Sequence, residues 1–162
     1  MQYNNIFSLS ILNTIPDARA IIYGSSEYPN LYGIVNFYTA RWETGIIIEA
    51  EISGLPNTAS YSPRFLGMHL HENGDCSDNF MNTGMHYNPT GARHPYHHGD
   101  FPPLLNSNGY SFLAFYDSFL SINDVINKSV IIHYKWDDFT SQPAGDSGDK
   151  IGCGALYRKK GR

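Results

Sequence analysis

An all-β domain, a sandwich or barrel carrying two long functional loops, is the fold that this sequence predicts. Three observations predict it. First, aromatic residues are frequent and charges sparse: 12 Tyr and 9 Phe stand beside only 16% Asp, Glu, Lys and Arg. Second, 15 Gly and 9 Pro in 162 residues favour strands and turns over long helices. Third, short apolar runs alternate with period two and end in turn residues. One domain of this length buries about 70% of the surface of its unfolded chain, enough for a core.

Each element follows in order. Residues 1–17 show no clear period and read as an arm or first strand lying on the domain. ARAIIYG (Ala18 to Gly24) and LYGIVNFYT (Leu31 to Thr39) are β candidates separated by Ser25, Ser26, Pro29 and Asn30. In GIIIEAEISG, Ile46, Ile48, Ala50 and Ile52 fall on one face, with Ile47, Glu49 and Glu51 on the other, as in a half-buried strand. Phe65 to His71 is a fourth strand whose alternation sets Gly67, His69 and His71 on one face. About 40 residues then pass without a confident element, and loops that long are usually functional. Ser111 to Phe115 resumes the β pattern, and Ser121 to Asp124 resembles a capping box opening one helical turn. Ser129 to Tyr134 and Ile151 to Tyr157 are the last strands, joined by a polar loop from Asp137 to Lys150. No repeat or linker divides the chain, so residues 1–162 read as one domain ending in a basic tail, 158–162.

The charge pattern excludes some functions. Net charge is -4 with no basic stripe, which gives nucleic-acid binding no support. No apolar run reaches the roughly 20 residues that span a membrane. The N-terminus, MQYNNIFSLSIL, lacks a cationic segment and does not read as a signal peptide. The chain as written is therefore expected in the cytoplasm, or outside it if a leader was removed. Monomer and homodimer both stay open.

The histidines carry the chemistry. Six of seven lie between Met68 and Asp100, and the seventh, His133, sits in a predicted strand. On one strand face, residues i and i+2 point the same way, so His69 and His71 can converge on one metal. A lone His-x-His or a lone buried histidine is weak evidence. His94, His97 and Asp100 at i, i+3 and i+6 in a tight loop are stronger, and with one more histidine they satisfy tetrahedral zinc. Joint occurrence of these pieces points to two metals. Two cysteines without CxxC spacing decide nothing alone.

In order and context, GMHLHENGDC, GMHYNPTGARH, HHGDFPPL, VIIHYKWDD and GDKIGCGAL resemble the copper/zinc superoxide dismutase family, with the short loops of its bacterial type. The resemblance runs from about Ala18 to Tyr157. It implies a Greek-key β-sandwich or barrel, copper and zinc as cofactors, superoxide anion as substrate, and a copper-delivery partner. It further implies copper ligands His69, His71, His86 and His133, and zinc ligands His86, His94, His97 and Asp100. His86 would bridge the metals and donate a proton to the product, and an imidazolate bridge needs a cation on each side. Asp137 would link His69 and His94 and so fix both rings. Cys76 and Cys153 would form the family's disulfide.

Three departures from the pattern matter. Lys150 stands where the family usually places an arginine that guides the anion; lysine keeps the charge and loses the planar fork, which implies less oriented docking. The loop from Phe139 to Asp149 holds no Lys or Arg, which implies weak long-range steering. Only Pro95 and Tyr96 separate His94 from His97, so His98 is an alternative donor, although the family's wording favours His97. The sequence thus supports a dismutase first. A metal-binding or delivery domain with little turnover is the alternative, and a β-sandwich module with structural zinc alone leaves His69, His71 and His133 unexplained.

Overall fold

The computed structural model describes residues 15–40 and 44–158. Its strands are β1 (Ala18–Gly24), β2 (Tyr32–Thr39), β3 (Ile46–Ser53), β4 (Phe65–Leu66), β5 (Met68–His71), β6 (Leu104–Leu105), β7 (Tyr110–Asp117), β8 (Ser129–His133) and β9 (Lys150–Arg158). One helical turn, α1 (Ile122–Val125), and two short turns merged across a kink, Asp78–Thr83, complete the described elements. Seven strands form one antiparallel sheet in the order β5-β8-β9-β1-β2-β3-β7, and β4 pairs with β6 in a separate ribbon. The meander β1-β2-β3 followed by crossings to opposite edges makes this a Greek key.

Period-two patterning explains why the sheet curls. Ala18, Ala20 and Ile22 of β1, Val35 and Phe37 of β2, and Ile46, Ile48, Ala50 and Ile52 of β3 are fully buried. They share one core cluster with Leu66, Met68 and Leu70, with Val130 and Ile132, and with Leu156. Strands at opposite ends of the hydrogen-bonded order can reach one core only if the sheet wraps round it. Each Val, Ile, Leu, Met or Phe side chain among them contributes about 1.5–3 kcal/mol when fully buried.

Ile47 differs from the expected pattern. It belongs to the outward face yet is fully buried. Tyr38 on β2 and Tyr116 on β7 are its register neighbours, so the aromatic pairs on either side cover it. The single strand expected from Phe65 to His71 is divided. At Gly67 the backbone leaves β4 to accept from the His133 amide and donate to the Lys135 carbonyl, so β5 pairs with β8 while β4 turns to β6. The capping box at Ser121 is present, with the Asp124 carboxylate accepting from the Ser121 amide at 2.8 Å.

Residues 1–14 of the expected arm, and 159–162 of the expected tail, lie outside the described residues. Arg158 is not tail: it ends β9 and donates to Asn123 Oδ1 at 2.7 Å, because β1 still offers Ala18 as its register partner. No helix among the described residues is long and apolar enough to cross a membrane.

Candidate metal centre

β5 lies at the edge of the sheet, and an edge strand presents unpaired backbone groups. Here the long loop fills them. Leu70 donates to the Gly99 carbonyl at 2.9 Å and accepts from the Tyr87 amide at 2.8 Å. Isolated bridges then set His86 opposite His71 and Asp100 opposite His69. Thus two residues expected as ligands from the loop are placed by pairing with the strand that carries two more. Only glycine fits at position 99, since a Cβ there would lie 2.3 Å from the Leu70 carbonyl oxygen.

The side chains gather in two groups. His69, His71, His86 and His133 have donor atoms within 4.8 Å of one another, and so do His86, His94, His97 and Asp100. His86 belongs to both. His98 belongs to neither; its ring packs against Tyr87 and Phe119.

Hydrogen bonding fixes which nitrogen each ring offers. His71 Nδ1 donates to the Gly84 carbonyl at 2.9 Å, and His133 Nδ1 to the Gly148 carbonyl at 3.1 Å. Asp137, 1% exposed, accepts His69 Nε2 on one oxygen at 2.8 Å and His94 Nε2 on the other at 2.9 Å. His86 Nδ1 lies 2.7 Å from Asp100 Oδ1. The other nitrogens, His69 Nδ1, His71 Nε2, His86 Nε2, His94 Nδ1, His97 Nδ1 and His133 Nε2, are buried without a hydrogen-bond partner. Nδ1 of His94 and of His97 approach Asp100 oxygens at 3.1 and 3.3 Å without making a hydrogen bond.

A buried polar atom left unsatisfied costs about 1–3 kcal/mol, so six together are not a stable structural feature on their own. Cations resolve this. Four imidazoles suit copper, and three imidazoles with a carboxylate suit zinc. The donor set therefore fits both metals.

Electrostatics prepares the rings as ligands. Burial holds His69 and His71 well below the usual imidazole range, reinforced by the neighbouring histidines, and lowers His133 to about 4. All three are neutral at neutral pH, with lone pairs available. Burial alone would raise the Asp100 carboxyl; its bonds with His86 and the His97 amide outweigh this and lower it.

Asp137 is the shared support, and its replacement gives a direct prediction. In Asp137→Asn one amide N–H must face an imidazole N–H, releasing either His69 or His94. Metal affinity at the affected group should fall about 10–100-fold, read by chelator competition. Unchanged affinity at both groups would contradict the linking role.

The close approaches were not visible in the sequence. Gly145 has φ +66, and a Cβ there would fall 2.0 Å from Asp137 Oδ1, so this glycine roofs the linking carboxylate. The carbonyls of Gly84 and Gly148, which orient His71 and His133, leave no mark in side-chain identity.

Known proteins share the fold. A superoxide-dismutase-like protein from Bacillus subtilis has a TM-score of 0.70 at 24% identity, covering 86% of this chain and 97% of that one. A double mutant of a protein so described gives 0.73, and both show the shared Greek-key barrel. A superoxide dismutase [Cu-Zn] from Legionella pneumophila is 32% identical over 148 residues, 86% of each chain. The human copper chaperone for superoxide dismutase is 31% identical over 93% of this chain, which covers 56% of the length of that protein. The family described as copper/zinc superoxide dismutase matches residues 31–156. With the barrel, the Cys76–Cys153 disulfide that the structure contains and two histidine groups fitted to copper and zinc, the chain belongs to the copper/zinc superoxide dismutase family.

Proposed function

We propose that this protein disproportionates superoxide to dioxygen and hydrogen peroxide. The observation that carries the reading is His86, shared by both donor groups and buried at 3% exposure. His69, His71, His86 and His133 would hold copper, and His86, His94, His97 and Asp100 would hold zinc. Copper bound there would supply one-electron redox chemistry, and zinc a fixed positive charge.

The chain's own residues do the rest. Asp137 and the Gly84 and Gly148 carbonyls keep the tautomers of His69, His94, His71 and His133, so the donor nitrogens face inward. His86 Nε2, with no hydrogen-bond partner, is the atom at which a proton is held and passed to the peroxide product. Asp100 holds His86 from the Nδ1 side.

A cleft beside His133 is walled by Ser141, Gln142, Ala144 and Asp146. Among the described residues Asp146 is its one charged lining residue, and it is exposed and paired with Lys135 at 3.4 Å. No strong positive field draws substrate to such an opening. Copper-dependent superoxide loss should therefore change little between low and moderate ionic strength; a steep fall with added salt would contradict this.

The second reading is a domain that binds or passes on copper with little turnover. The similarity to the human copper chaperone for superoxide dismutase and the lysine at position 150 favour it. Protein with both metals bound and no turnover would decide for it.

A further inference from the structure

Lys150 opens β9, three residues before Cys153. Its ammonium donates to Thr83 Oγ1 at 2.9 Å, to the Gly84 carbonyl at 3.0 Å and to the Phe80 carbonyl at 3.3 Å. An ammonium has three donors, and protein acceptors take all three. Among the described residues Lys150 makes no ion pair, and these three acceptors are its hydrogen-bond partners.

The three acceptors belong to one mesh. Thr83, fully buried, donates its hydroxyl to the Phe80 carbonyl at 2.7 Å. The Gly84 carbonyl that accepts Lys150 also accepts His71 Nδ1 at 2.9 Å, and Thr83 Oγ1 itself lies 3.5 Å from His71 Nδ1. The segment carrying these acceptors is unusual: Asp78, Asn79 and Phe80 have φ of 51, 48 and 70, a left-handed run that non-glycine residues seldom adopt. Such a run needs anchoring from outside. The Cys76–Cys153 disulfide anchors one end, and the Lys150 ammonium gathers the carbonyls at the other.

We infer that Lys150 is a positioning residue: caged by Phe80, Thr83 and Gly84, it fixes the carbonyl that sets the tautomer and angle of the His71 ring. A guiding residue needs a donor or charge turned toward the substrate. Here the donors are committed to the loop, so Lys150 acts on copper through His71. The inference rests on the reading of His71 as a copper ligand.

Two variants separate this role from guidance. Lys150→Met removes the ammonium, while Thr83→Val removes only the hydroxyl and leaves the charge in place. The first readout is the ¹⁵N resonances of His71 in zinc-loaded, copper-free protein. Wild type should show one tautomer with the proton on Nδ1. Both variants should show exchange between tautomers, and Cu(II) affinity by chelator competition should fall about tenfold or more. Lys150→Arg, whose fork reaches carbonyl pairs, should restore the wild-type His71 pattern. If Lys150→Met does not fold, Thr83→Val carries the test. Wild-type His71 resonances and copper affinity in the folded variants would overturn the inference, even if superoxide loss were slower, because charge alone would then explain the residue. The tautomer is read without copper, so a protein that binds copper but does not consume superoxide would defeat the dismutase reading and leave this measurement standing.

Discussion

Alanine at position 86 is expected to abolish copper-dependent superoxide loss and to weaken zinc binding in the same protein. Among the described residues no other side chain stands in both donor groups. Loss of His86 Nε2 leaves three histidines in the first group and, on the dismutase reading, removes the atom at which the product proton would be held. Loss of Nδ1 takes one donor from the second group and the hydrogen bond at 2.7 Å from Asp100. That bond is part of what keeps the Asp100 carboxyl low, so the variant should also leave a more basic carboxylate in a largely buried place. Turnover and zinc affinity by chelator competition read the two effects separately. His98→Ala is the control, since that ring lies outside both groups against Tyr87 and Phe119; it should keep both properties. Zinc affinity in His86→Ala equal to wild type would contradict a shared residue.

Cys76→Ser should produce the largest loss of stability. The disulfide joins residues 77 apart, and closing a loop of that size stabilises the fold by about 4.5 kcal/mol on the chain-entropy argument. For a domain of this length that corresponds to a fall in Tm on the order of 10 °C, measured in non-reducing buffer on metal-free protein. The bond also packs against Phe80 and Ile131 in a small cluster of its own, so the loop holding the Thr83 and Gly84 acceptors loses packing as well. A Tm within about 2 °C of wild type would mean that the loop is held without the bond.

Much of this architecture was legible in the residues. Strands such as Ile46–Ser53 carry their burial pattern in plain alternation, and the histidine motifs lie close enough in sequence to announce a metal centre. Ile47 was not legible, because its cover comes from tyrosines on neighbouring strands that only the register brings beside it. Nor was the break at Gly67: alternation through Phe65–His71 is continuous, and backbone hydrogen bonds with His133 and Lys135 divide the strand. Local sequence cannot show such long-range competition. At the site, resemblance named the side chains, and geometry supplied what they rest on. Gly99 and Gly145 are ordinary loop glycines until the Leu70 carbonyl and the Asp137 carboxylate are seen against them. Lys150 shows its charge in the sequence, while the three acceptors around it come from a loop that only the fold brings beside it.

The measurement that tests the central claim most directly is product stoichiometry during superoxide loss, with copper- and zinc-loaded protein beside a zinc-only control. The dismutase reading predicts loss of many equivalents of superoxide per bound copper, with one dioxygen and one hydrogen peroxide formed for every two superoxide consumed. The zinc-only protein should be inert. Loss that stops near one equivalent per copper, or equal loss in the control, would contradict it.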